Sequence, residues 1–184
     1  MSKPHRILVL DAGAIKRSIT RMAHEIWERS TAMDRAVLVG IQTRGAPLAR
    51  RIQRRLKSLS GVEVPLGAVN ITFHRDDFRE RLVVPQVKGT DLPATIDGRT
   101  IILVDDVLYT GRTVRAAIDT LLTFGRPAAV QLAVLVDRGH REMPIKADYV
   151  GKNIPTHEGE HVHVNLQETD DAEGVYLVSF TGEE

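Results

Sequence analysis

Two adjacent carboxylates, Asp105 and Asp106, directly follow the run Thr100-Ile101-Ile102-Leu103-Val104, and Thr110-Gly111-Arg112-Thr113 stands just beyond them. Paired carboxylates can grip the neighbouring hydroxyls of a polyol or help hold a hard cation such as Mg²⁺. Two hydroxyl residues around a glycine at a helix start offer side-chain donors and free backbone N–H groups to an anion. The combination fits a sugar phosphate, with the carboxylates on ribose hydroxyls and the loop on a 5′-phosphate. Adjacent aspartates also occur in phosphoacceptor receivers and on Walker B strands. No Gly-x-x-x-x-Gly-Lys-Ser/Thr sequence occurs in the chain, which speaks against a P-loop nucleotidase. A receiver has no need of the Thr-Gly-Arg-Thr cradle.

Two further polar turns follow apolar runs: Gln42-Thr43-Arg44-Gly45 after Ala36-Val37-Leu38-Val39-Gly40-Ile41, and Asp137-Arg138-Gly139-His140-Arg141 after residues 130–136. Apolar runs alternating with amphipathic helical patterns predict an α/β fold with a mostly parallel central sheet flanked by helices. Ligands of such sheets bind at the carboxyl ends of the strands, so the three turns should cluster. Helices are expected over 12–28, with Ile15, Ile19, Met22, Ala23 and Ile26 on one face, and over 47–59, with Leu48, Ile52, Leu56 and Leu59 inward and Pro47 in the first turn. A third is expected over 112–124, stopped by Gly125 and Pro127. Strands are expected over 68–73, 100–104 and 130–136. Short strands near Tyr149, over 161–166 and over 175–180 should finish an edge or an antiparallel extension of the sheet. Residues of about 74–99 are polar and charged, with Pro85, Gly89, Pro93 and Gly98, and predict a long flexible flap loop.

The 184 residues suit one domain, residues 1–184, with one core. Aromatic residues make up 4%, so that core must be aliphatic. With no cysteine, disulfides and thiol metal sites are excluded. No run of 18 apolar residues occurs, and the short apolar run ending at Leu10 has no small-residue cleavage site. These features place the expected location in the cytoplasm, with no membrane partner. A net charge of +1 argues against nucleic-acid binding driven by overall charge, but leaves a local basic face open.

The stretch Ile101-Ile102-Leu103-Val104-Asp105-Asp106-Val107-Leu108-Tyr109-Thr110-Gly111-Arg112-Thr113 resembles the phosphoribosyl pyrophosphate (PRPP) signature of type I phosphoribosyltransferases. Ile41-Gln42-Thr43-Arg44-Gly45, Arg75-Asp76-Asp77, Val134-Leu135-Val136-Asp137-Arg138-Gly139-His140-Arg141-Glu142 and residues 147–156 resemble the PyrR family, over about 10–168. Its members are bifunctional: uracil phosphoribosyltransferases and RNA-binding regulators of pyrimidine genes.

The resemblance implies a type I phosphoribosyltransferase fold. It places Asp105 and Asp106 on the ribose hydroxyls, directly or through Mg²⁺, and Val107, Leu108, Tyr109, Thr110, Gly111, Arg112 and Thr113 around the 5′-phosphate. Thr43, Arg44 and Gly45 resemble a pyrophosphate loop, which in this fold often contains a strained peptide. Asp137 and Arg138 would form the uracil pocket, and Arg75, Asp76, Asp77 and Arg81 belong to the flap. The implied partners are uracil, PRPP, UMP and leader RNA of a pyrimidine operon, with the chain forming a homodimer or larger homo-oligomer. Two readings stand beside this one: an RNA regulator that uses nucleotides only as signals, and a salvage enzyme for another base such as hypoxanthine.

Arg17, Arg21 and His24 share one helix face, with Thr20 beside them. By resemblance Thr20, Arg21, His24, His140, Arg141, Lys146 and Lys152 stand where RNA contacts are expected. The chain has His74 where many members have Tyr, and Lys146 where Arg is common, which loses a bidentate fork. The basic stretch Arg50-Arg51-Ile52-Gln53-Arg54-Arg55 reads as the solvent face of its helix, and His157, His161 and His163 as surface histidines. Trp27 reads as a partly buried residue at a helix end or an oligomer contact.

Overall fold

The computed structural model describes residues 5–71, 89–93 and 95–180. The expected flap residues Arg75, Asp76, Asp77 and Arg81, and His74, lie outside them.

The strands are β1 (His5–Leu10), β2 (Ala36–Ile41), β3 (Leu66–Val69), β4 (Thr100–Leu108), β5 (Ala129–Asp137), β6 (Tyr149–Asn153), β7 (Glu160–Asn165) and β8 (Gly174–Ser179). The α-helices are α1 (Ala12–Arg29), α2 (Gly45–Ser60), α3 (Arg112–Leu122) and the short α4 (Gln167–Asp170). Five strands form a sheet in the order β3-β2-β4-β5-β6, with every neighbouring pair parallel.

Alternation along the strands sends side chains to two cores. Leu38, Ile102, Val104, Ala133 and Leu135 meet the apolar stripes of α1 (Ile15, Ile19, Met22, Ala23, Ile26) and α2 (Leu48, Ile52, Leu56). Val37, Val39, Ile101, Leu103, Leu132 and Val134 meet Val114, Ala117 and Leu121 of α3 on the other face. Asp11 caps α1, its Oδ1 accepting from the Ala14 N–H at 2.7 Å. Gly61 ends α2 at φ 73°, a left-handed turn that glycine adopts without a Cβ penalty.

The mostly parallel α/β reading holds, with three differences. β4 continues through the two aspartates to Leu108, because pairing with β5 runs on through Asp105↔Val134, Val107↔Val136 and Leu108↔Asp137. β3 begins earlier than expected and covers Leu66–Val69, while residues 72–73 of the expected strand lie outside the described residues. The third concerns the C-terminal strands. β6 joins the main sheet as a parallel edge, but β7 and β8 pair with β1 in a separate antiparallel sheet, order β1-β8-β7. That sheet packs on the α1 side through Val164 and Val175, with Leu166 just beyond β7.

Connections reverse direction at the middle of the parallel sheet. From β2 the chain crosses by α2 to β3 on one side; from β4 it crosses by α3 to β5 on the other. The crevice between the ends of β2 and β4 is therefore the topological switch point, where open α/β sheets bind ligands.

Candidate active site and basic face

At the crevice the loop after β2 touches β4 with no room between them. A Cβ built on Gly45 would lie 2.2 Å from the Val104 carbonyl oxygen and 3.3 Å from Asp105 Cα. Glycine is what lets Thr43 and Arg44 sit against the two carboxylates. The Gln42–Thr43 peptide is cis.

Asp105 is only 7% exposed. Burial, followed by the Asp106 carboxylate, pushes its acid well above the usual carboxylate range. The Asp105 Oδ1 accepts from the Asp106 N–H at 2.9 Å, and the Asp106 Oδ1 accepts from the Val107 N–H at 2.8 Å. Among the described residues no cluster of three His, Asp or Glu side chains could hold a metal. Two hard carboxylates without a third protein ligand fit Mg²⁺, which keeps several waters and takes its other oxygens from a bound phosphate.

Beyond them Gly111 adopts φ 91° and opens α3. The Thr110 Oγ1 accepts from the Arg112 N–H at 3.3 Å. This loop is tied to the one after β5: the Thr110 carbonyl accepts from the N–H groups of Glu142 and Met143, each at 2.9 Å, and the Leu108 carbonyl from that of Arg138 at 3.1 Å. Arg141 completes the tie, donating to Asp137 Oδ2 (2.6 Å), Ile145 O (2.8 Å) and Tyr109 O (3.0 Å). The Arg138 guanidinium lies 3.9 Å from the Tyr109 ring centroid, a cation–π stack, and donates to Thr156 Oγ1 and Glu160 O. Asp137 and Arg138 are thus bonded within the protein, at the end of β5 beside the Thr110–Thr113 turn.

The sequence gives no sign of one contributor. Arg44 makes a bidentate ion pair with Asp170 of α4, at 3.1 and 2.7 Å. Asp170 is also fixed by the Leu166 N–H and the Thr169 hydroxyl. The Arg44 guanidinium, then the Leu166 N–H, hold the Asp170 acid far below the usual carboxylate range. Arg51 similarly grips Glu168 and Glu173, lowering both acids.

These three acids join the C-terminal segment to α2. Each has a folded-state pKa below its unfolded value, so each contributes stability above the ordinary carboxylate range and loses it as pH falls through the lowered value. Replacing Arg51 by Met removes the pull on Glu168 and Glu173. The acid-unfolding midpoint, followed by circular dichroism, is then expected to move to higher pH; an unchanged midpoint would contradict this account.

Lys16, Arg17, Thr20, Arg21 and His24 line an open groove of about 520 Å³ on α1. Arg21 reaches across to β6, donating to the carbonyls of Val150 and Gly151, and so stands next to Lys152. Lys146 and Lys152 are exposed. His140 and Arg141 are placed differently: Arg141 is engaged as above, and the His140 ring bonds the Thr156 carbonyl at 2.7 Å and meets Tyr109 edge-on. The structure thus brings Thr20, Arg21, His24 and Lys152 together and ties His140 and Arg141 to the β4–β5 loops. Trp27 is 43% exposed.

Residues 8–169 match the phosphoribosyl transferase domain family, and the parallel sheet with its switch-point crevice is the fold of that class. The chain belongs to that family, and within it to the PyrR proteins. It is 55% identical to the bifunctional protein PyrR of Roseiflexus sp. (strain RS-1) over 174 residues, 94% of this chain and 95% of that one. It is 52% identical to that of Deinococcus deserti over 177 residues, 96% of each chain. Among solved structures, the hypoxanthine phosphoribosyltransferase of Trypanosoma cruzi matches with a TM-score of 0.71 at 20% identity, covering 92% of this chain and 94% of that one. At that identity the likeness shows the fold alone.

Proposed function

We propose that this chain, acting as one domain, transfers the phosphoribosyl group of PRPP to uracil, giving UMP and pyrophosphate, and that it binds leader RNA of pyrimidine genes in response to UMP. The observation that carries the catalytic half is the packing of Gly45 on Val104 and Asp105, which sets an arginine loop against a carboxylate pair and an anion cradle. Membership of the PyrR family supports both halves.

In this reading Asp105 and Asp106 hold the ribose hydroxyls, and the backbone and hydroxyls of 107–113 hold the 5′-phosphate. Thr43, Arg44 and Gly45 hold the pyrophosphate, and Asp137 and Arg138 frame the uracil pocket. N1 of uracil bonds to C1′ and loses its proton, while the C1′–O bond breaks and pyrophosphate departs with that electron pair. Arg44 stabilises the departing charge, and its preset position avoids reorganisation at the moment of reaction. Asp105 and Asp106, together with PRPP, would hold Mg²⁺, which when bound would neutralise further charge on the diphosphate. The chain works as a homodimer or larger assembly.

The test is UMP formation from uracil and PRPP with and without Mg²⁺, with hypoxanthine, guanine and orotate as controls. Mg²⁺-dependent turnover of uracil alone is the expected result. Turnover of hypoxanthine in its place would make the chain a purine salvage enzyme. No turnover with any base, together with a UMP-responsive RNA mobility shift, would leave a regulator without catalysis.

A further inference from the structure

The groove on α1 has a second wall. Arg55 of α2 stands across from Lys16, Arg17, Thr20, Arg21 and His24. Another groove, of about 460 Å³, continues from it between the two helices. Lys16 and Arg55 belong to both, and Arg54 and Ser58 line the continuation. The stretch Arg50–Arg55, read from sequence as a solvent face, is therefore divided. Ile52 faces the core; Arg51, Arg54 and Arg55 all line the continuation, where Arg51 is held by Glu168 and Glu173.

Basic side chains outnumber acids along this path. Glu173, which lines the continuation, and Glu168 are engaged by Arg51 at 2.5 and 2.6 Å, and Glu25 pairs with Arg21 at 3.8 Å. Lys16, Arg17, Arg54 and Arg55 make no ion pair among the described residues, although Arg54 is close enough to Glu168 to lower its acid. Cations gathered without counter-charges repel one another in the free protein, and a polyanion relieves that repulsion. The path is too long for a single phosphate: Lys16 to His24 is eight residues at about 1.5 Å each, roughly 12 Å, before α2 is counted. Guanidinium forks match phosphate oxygens in bidentate fashion, and Thr20 and Ser58 add hydroxyl donors.

We propose that the RNA bound at α1 continues onto α2, with Arg54 and Arg55 holding backbone phosphates in the groove between the helices. This rests on the RNA-binding reading above and extends its footprint to residues outside the set that the family resemblance names. Arg54 and Arg55 supply affinity without sequence preference, because phosphate contacts position a strand and base contacts specify it.

The test is the affinity of the full chain for an in vitro transcript of the leader preceding its own pyrimidine genes, as a function of salt. The double variant Arg54→Ala/Arg55→Ala is expected to bind about tenfold more weakly near 0.15 M salt. The slope of log K against log salt should become shallower by about 1.4, two phosphates at roughly 0.7 each. Arg54→Lys/Arg55→Lys should keep the slope, and both variants should form UMP at the wild-type rate. If Arg21→Ala weakens binding while Arg54→Ala/Arg55→Ala does not, the α2 extension is overturned and the RNA reading stands. If the wild-type chain does not bind the leader at any salt, both fall. If the double variant changes sedimentation but not RNA affinity, the groove is a contact between copies of the chain and the extension is overturned.

Discussion

Replacing Asp105 and Asp106 together by asparagine is expected to lower kcat/KM for PRPP by roughly 10²–10⁴-fold while the fold stays intact. Hydrogen bonds to a charged acceptor contribute about 1.5–3 kcal/mol each, so losing two removes about 3–6 kcal/mol, at about 1.4 kcal/mol per tenfold. The fold survives because asparagine matches aspartate in size and keeps an oxygen for the Asp106 N–H. Stability should hold or rise. The Asp105 acid is pushed up by burial and then by Asp106. A raised folded-state value means stability is fully present below the unfolded value and is lost as pH rises through the folded one. Above the unfolded value, burying this carboxyl therefore costs stability, a cost that asparagine removes. Steady-state kinetics and a thermal melt on one preparation check both halves. Near-wild-type turnover would remove the ribose role of this pair, and a collapsed melt would show that the carboxylates hold the fold.

The second large effect is expected at Gly45. Alanine there would place a methyl group 2.2 Å from the Val104 carbonyl oxygen, and neither backbone can yield without moving the Arg44 loop or Asp105. A loss of about 3 kcal/mol is expected, which lowers Tm by about 6–12 °C for a domain of this size. PRPP turnover should fall with it, because both sides of the crevice are displaced. Gly13→Ala is the control. Its new Cβ would meet only the flexible end of Arg17, at 3.2 Å, and Asp11 Oδ1 at 3.4 Å, and alanine favours the helix. A Gly45→Ala protein as stable and active as Gly13→Ala would contradict the close-approach account.

The parts of the fold written in local pattern were legible. β2 is six buried residues in a row, and α1 and α2 carry their apolar stripes at helical spacing. The carboxylate pair and the Thr-Gly-Arg-Thr turn were legible as chemistry because they are contiguous. What sequence hid is what distant segments decide. Strand β4 reads as ending at Val104, since the next residues are acidic; pairing with β5 carries it four residues further. β1 is mostly exposed and acquires its identity from β8, at the far end of the chain. Asp170 lies 126 positions from Arg44, and no spacing rule connects them. Arg54 and Arg55 look like ordinary solvent-facing cations until α1 is set beside α2.

The bonds from Glu142 and Met143 to the Thr110 carbonyl, with the three-way tie of Arg141, join the loop proposed to hold the phosphate to the loop proposed to frame the base. A nucleotide carries base and phosphate on one sugar, so it meets both contacts at a separation already fixed. Little conformational freedom is left for it to freeze, and the favourable contacts are not consumed in ordering loops. Ligands that carry only half of the pattern, a free base or a free phosphate, gain no such advantage. On the proposed roles of these two loops, the tie between them favours recognition of the joined product over its separate parts.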